Sequence, residues 1–321
     1  MLMIWRTLLV SLTVISTGLM ASSVSAGQIT VQLDNDVVFG TDRQYTGGLE
    51  VRWTEDQIAF VEAFISPFER FLPDKHIFGF KQADQLMVGA QLYTLQQKTE
   101  QGNETVSNSA WTHIDWRRFY WYGKNQSVLD FRAGWIGPSS GGRQMQDSIH
   151  QLIGNDNASG WDKQVPDQPT LQVGFENRHA VFTTKDERFR LVHSLSGVVG
   201  SPQIYAAAGI GMQYGVNMKA VMSFNRLNYV ETPEKGFGWL VFIDASARYE
   251  AYNAFRDGRL FVDERTSLKP ANDFIPSMQY GAGFVYNGVS IVFSGSAFGK
   301  FYRKQTEDVF RFASLIISFP V

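Results

Sequence analysis

The chain has 321 residues, 44% hydrophobic and 14% aromatic, with 29 Lys and Arg against 31 Asp and Glu and no cysteine. A net charge of −2 provides no basic stripe for nucleic acid. The absence of cysteine excludes a disulfide framework, which leaves a large core or a membrane as the source of stability.

Residues 1–26 read as a secretory signal. Met1 to Arg6 carries one positive charge, "TLLVSLTVISTGLMA" is apolar, and "SSVSA" places Val24 and Ala26 around Ser25 in a small-x-small cleavage pattern. The mature chain is then expected from Gly27 to Val321 as one domain, and loss of Arg6 takes its net charge to −3. Beyond the signal no run approaches the roughly 20 apolar residues of a spanning helix. The longest, "WLVFI" at 239–243 and "LII" at 315–317, are strand-sized.

The first mature segment, "QITVQLD" at 28–34, alternates: Ile29, Val31 and Leu33 on one face, Gln28, Thr30, Gln32 and Asp34 on the other. "TGGLEVRWT" at 46–54 repeats this, with Leu49, Val51 and Trp53 outward and Thr46, Glu50, Arg52 and Thr54 inward. Polar interior faces favour a wet barrel lumen over a dry sandwich core, where an unpaired polar group costs about 1–3 kcal/mol. Further segments are expected near 86–94, 110–122, 127–136, 169–179, 187–199, 203–216, 237–250, 272–286, 288–300 and 307–319. These make twelve strands, an even number suited to a closed antiparallel outer-membrane β-barrel. Composition by itself suits a soluble β-sandwich equally well.

The connections alternate in character. Those at 123–127, 183–188 and Asn287-Gly288 are tight and polar, so with a periplasmic N-terminus the long segments 95–109, 137–168 and 251–271 share the outer side. Two long segments, 55–85 and 217–236, would be periplasmic. Within the first, "IAFVEAFISPFERFL" at 58–72 reads as a short interfacial helix or an ordinary folded insertion.

Polar chemistry gathers at the outer mouth. Asn35 and Asp36 end the first strand, Thr46 opens the second, Lys98 follows the third, and His150 lies in the loop after the fifth. In "GGRQMQDSIHQLIGND", Gln146 and His150 are four apart and would share one face of a short helix ending near Gly154, with Asp156 just beyond. Each has a plainer reading. A single loop histidine is more often a hydrogen bonder than a catalyst, Asp34, Asp36 and Asp42 suit solvated turns, and Arg43 and Tyr45 suit a rim or girdle. His113 and His193 fall within strands with no acidic partner in obvious spacing. A serine nucleophile ranks below the histidine.

At these residues the chain resembles the LpxR-type lipid A 3′-O-deacylases, on "LDND", "TDRQYTGG", "AQLYT" and "GP…GG…QMQDSIHQLIG", in order over nearly the whole mature sequence. The resemblance implies a twelve-stranded barrel in the outer membrane of a Gram-negative bacterium, acting on lipopolysaccharide as a monomer. It maps the family's site onto Asn35, Asp36, Thr46, Gln146, His150 and Asp156, with Lys98 a looser match because Leu95 replaces a proline. Asp156 stands where the family tends to have Glu. The resemblance further implies Ca2+ held by Asp36, Gln146 and Asp156, and His150 as general base for ester hydrolysis. The competing expectation is a barrel without activity that binds lipopolysaccharide or forms a small channel.

Overall fold

In the computed structural model, the residues described are 27–39, 44–58, 76–77, 79–98, 104–153, 160–223, 226–231, 235–260, 271–303, 305 and 307–321. The expected signal, the apolar stretch after Ile58, Asp42, Arg43, Gly154 and Asp156 lie outside them.

Twelve antiparallel strands close into a barrel. In chain order they are β1 (Gln28–Asn35), β2 (Gln44–Glu55), β3 (Lys81–Lys98), β4 (Glu104–Tyr122), β5 (Asn125–Ile136), β6 (Gln168–Thr183), β7 (Phe189–Gly200), β8 (Gln203–Val216), β11 (Phe237–Asn253), β12 (Phe274–Tyr286), β13 (Val289–Gly299) and β14 (Val309–Pro320). Closure comes from β1 lying against β14, from Gln28 opposite Pro320 to Asn35 opposite Ala313, which removes the open edge a bilayer cannot satisfy. Between β8 and β11 a separate hairpin, β9 (Lys219–Ser223) with β10 (Arg226–Glu231), occupies most of the expected 217–236 connection.

The alternation of each strand sorts side chains between two environments. Outward positions such as Val88, Ile114, Leu171, Phe175, Leu195 and Ile210 are exposed apolar residues. Repeated around the wall, they form a surface a water-soluble protein rarely presents but a lipid-embedded barrel requires. Asn287 and Gly288, with φ of 48° and 83°, make the left-handed two-residue turn expected between β12 and β13.

The inward face is packed rather than wet, which corrects the expected water-filled lumen. Glu50 and Arg52 are each 1% exposed, and the guanidinium meets the Glu50 carboxylate at 2.5 Å and donates to Gln32. Asp115 accepts from Arg117 and Arg132, both at 3.1 Å, while Asp130 accepts from the same two arginines at 2.9 and 2.6 Å. Arg178 reaches across to Asp244 at 3.0 Å. Opposite charges on neighbouring strands satisfy one another, so polar residues fill the interior instead of lining water.

Three plain readings from the sequence fail here for the same reason. His113 does have an acidic partner: two residues along a strand returns to the same face, and its Nδ1 lies 2.6 Å from Asp115 Oδ1. Asp34 is buried rather than solvated and accepts from Tyr45 at 2.6 Å and Gln32 at 2.7 Å. Tyr45 is no girdle residue; its ring packs on Phe312 and Tyr93 inside the barrel. After β11 a helical turn, Ala254–Asp257, folds over this end and stacks Phe255 on Tyr93 with centroids 4.0 Å apart.

β3 and β4, of 18 and 19 residues, are the longest strands. They run through most of the expected 95–109 loop, Lys98 being the last residue of β3 opposite Glu104. Polar residues on both faces hid this extension from the apolar pattern. The projecting wall it forms carries the candidate site.

Candidate active site on the outer wall

A helix, α1 (Gly142–Ile153), lies against the upper part of β3 and β4. The path into it is tightly fixed. Gly137 adopts φ 98°, and a Cβ there would meet the Asp167 backbone at 2.8 Å. Pro138–Ser140 form a 3-10 turn, Gly141 is left-handed, and Thr112 donates to the Ser140 carbonyl at 2.7 Å. Asp167 accepts from the Ser139 amide at 2.7 Å, its hydroxyl at 2.9 Å and the Trp135 indole at 3.1 Å. These bonds, the Ser139 amide first, hold the Asp167 carboxyl below its ordinary value. Residues 137–141, Gly-Pro-Ser-Ser-Gly, formally match the Gly-x-Ser-x-Gly elbow of serine hydrolases. Here Ser139 is tied to Asp167 and serves the loop.

The seat of α1 explains an anomaly of burial. On the outward face of β3 and β4, Val88 and Ile114 are 56% and 62% exposed, but Leu92 and Ala110 farther up are 4% and 0% exposed. Met145 of α1 and Trp161 cover them. At Gly142 a Cβ would sit 2.1 Å from that of Ala110 and 2.9 Å from the Trp161 ring, so only glycine allows this approach.

Polar residues are buried along the same outward face. Thr94 and Asn108 are directly paired across β3 and β4. Thr94 accepts from the hydroxyl of Thr46 at 2.7 Å, and Asn108 is anchored by its amide to the Gly160 carbonyl at 3.1 Å. Thr46 occupies a bulge in β2, between Tyr45 and Gly47. The Asp36 amide donates to the Thr46 carbonyl at 3.3 Å, and the Asp36 side chain is fully buried. Asn35, at the end of β1 opposite Gly47, is exposed at the rim. On α1, Gln146 is buried and its Oε1 accepts from the Trp161 indole at 2.9 Å. His150 follows one turn later and is half-buried.

The structure therefore brings Asn35, Asp36, Thr46, Gln146 and His150 to one rim, with Asp36, Thr46 and Thr94 in direct contact and α1 packed beside them. Lys98 belongs to the same wall by strand position. Thr94, Asn108 and Trp161 went unnoticed in the sequence because their parts emerge only from pairing across β3 and β4 and from the fold of α1 onto them. Among the described residues no group of three His, Asp or Glu is arranged to hold a metal ion. Calcium does not require that, since it accepts amide and backbone oxygens beside carboxylates. Gln146 Oε1 keeps one lone pair beyond the Trp161 bond, and it and the Asp36 carboxylate are each oxygen donors of the hard kind calcium takes.

A closed twelve-stranded barrel with an apolar outer belt, a packed interior and a helix seated against buried polar residues on its wall defines an outer-membrane protein. The chain matches outer membrane protein LpxR over residues 6–321 and belongs to the LpxR family. Among solved structures it is similar to LpxR from Salmonella typhimurium, at 17% identity and a TM-score of 0.72, covering 91% of this chain and 99% of that one. It also aligns with the β-domain of the Bordetella autotransporter BrkA, at 7% identity and a TM-score of 0.43, covering 92% and 97%. No curated protein matches the sequence.

Proposed function

We propose that the chain remodels lipid A in the outer membrane as a calcium-dependent 3′-O-deacylase, releasing the acyloxyacyl group by ester hydrolysis. Family membership supports lipid A as the substrate. The carrying observation is the burial of Thr46, Thr94 and Asn108 on the outward wall, together with Gln146 on the α1 helix packed against that wall, where a lipid ester would be met sideways from the bilayer. The packed interior speaks against the channel alternative.

In this reading His150 takes a proton from water as the oxygen adds to the ester carbonyl, then returns it to the leaving alkoxide. Asp36, Gln146 and Asp156 are the residues that would hold calcium, which supplies polarisation of the carbonyl when bound. Asn35 and Thr46 position the ester or donate to the developing oxyanion, and Lys98 meets a lipid A phosphate. Packing of α1 on the wall fixes where the imidazole stands, so general base and ester need not be brought together by a collision.

The test is mass spectrometry of lipid A from cells expressing the wild type or His150→Ala. Loss of one acyloxyacyl unit is expected with the wild type, abolished in membranes treated with EDTA and restored by calcium. The variant barrel should fold and leave lipid A intact; deacylation at the wild-type rate would remove His150 from the base role.

A further inference from the structure

At the other end of the barrel, two histidines face each other on the outside. His179 of β6 and His193 of β7 are directly paired in register, on the same face as the exposed Phe175 and Leu195. Both are half-buried, and their ring centroids lie 5.4 Å apart with planes inclined 39°. The geometry points to a transition-metal site here, in which the two imidazoles chelate one divalent ion such as Zn2+ or Cu2+.

The separation is what carries this. Two imidazole nitrogens about 2.0–2.1 Å from one ion, at a tetrahedral angle, place the ring centroids about 5 Å apart. The observed pair, at 5.4 Å, stands close to that spacing. Its orientation is set from one side. Nδ1 of His179 donates to Oδ1 of Asn125 at 3.0 Å, which fixes the tautomer that leaves Nε2 with a lone pair for a metal. Just below, the β6–β7 register shifts between Ala180 and Phe182; a bulge of this kind re-aims the strand beside it. On the β5 side the pair adjoins polar residues, Asn125 and the Asn177–Ser127–Tyr122 group, while Leu195 and Ile210 on the β7 and β8 side are exposed apolar residues.

Imidazole nitrogen favours zinc, copper or nickel over hard cations, whereas calcium takes oxygen. The pair is therefore chemically separate from the candidate calcium ligands at the opposite rim. Two protein ligands leave coordination positions for water or a lipid headgroup oxygen.

The full chain in detergent would be titrated with zinc chloride by calorimetry and with copper chloride by electron paramagnetic resonance. One ion per chain is expected, with nitrogen couplings from two imidazoles in the copper spectrum. His179→Ala and His193→Ala should each abolish the two-nitrogen signature, and Asn125→Ala should weaken zinc binding about 10- to 100-fold. His150→Ala should bind as the wild type does. His193→Phe suits a lipid-facing wall and serves if the alanine variants fail to fold. Absence of binding by the wild type, or unchanged binding when both histidines are replaced, overturns the assignment.

Discussion

The indole of Trp161 donates to the side-chain oxygen of Gln146 at 2.9 Å, inside the seam where α1 meets the barrel wall. The bond leaves Gln146 one lone pair and fixes its direction. Trp161→Phe keeps a ring against Leu92 and Ala110 but removes the donor, and a buried neutral hydrogen bond is worth about 0.5–1.5 kcal/mol. Lipid A deacylation measured at limiting calcium should fall about 2- to 10-fold and recover in part at high calcium. A variant with the wild-type calcium response would show that Gln146 is no ligand.

Gly142 tests whether the position of α1 matters to chemistry. An added Cβ would lie 2.1 Å from Ala110, so Gly142→Ala must lift the first turn of the helix and carry His150 with it. Because α1 packs outside the closed sheet, the barrel should unfold at the same urea concentration as the wild type. Misplacement of a catalytic group by 1 Å can cost about 100-fold, and deacylation should drop toward that level. Full activity in this variant would separate the seat of α1 from the reaction.

The loop into α1 should loosen in acid. Asp167 is held below its ordinary value of 3.8, first by the Ser139 amide and then by the Ser139 hydroxyl and Trp135. Since the folded carboxyl titrates lower than the unfolded one, its contribution is complete above about pH 5 and is lost as the pH falls through the depressed value. Hydrogen exchange of the Ser139 amide should rise there, relative to its intrinsic rate, in the wild type. Asp167→Asn should show faster exchange already at neutral pH and no such acid step. An identical acid step in both would place its origin elsewhere.

Much of this architecture is written in period-2 alternation. The twelve barrel strands and the sharing of α1 by Gln146 and His150 could be read because lipid imposes an apolar outward face and a helix repeats every 3.6 residues. Where both faces are polar, that signal vanishes, and the upper ends of β3 and β4, residues 95–98 and 104–109, and the β9–β10 hairpin were read as loops. The interior was legible in sign but not in state. Glu50 and Arg52 were visible as inward charges, yet whether such charges meet water or one another depends on registers between strands that no single strand reveals. Thr94 and Asn108 show the same limit: fourteen positions apart in sequence, they become one site only when β3 and β4 pair.

Asp115 offers a measure of how much that packed interior stabilises the barrel. Its two oxygens serve His113, Arg117 and Arg132 at 2.6, 3.1 and 3.1 Å, and none of this cluster but Arg132 has appreciable exposure. Removing the carboxylate leaves Asp130 to balance both arginines, and breaking a buried pair from one side costs about 3–5 kcal/mol. Asp115→Ala should therefore lower the urea midpoint of the barrel in detergent and the temperature at which it loses its compact mobility on electrophoresis. Asp115→Asn, which retains an acceptor but not the charge, should fall between. If Asp115→Ala is as stable as the wild type, water must enter and solvate the arginines, and the lumen would be open after all.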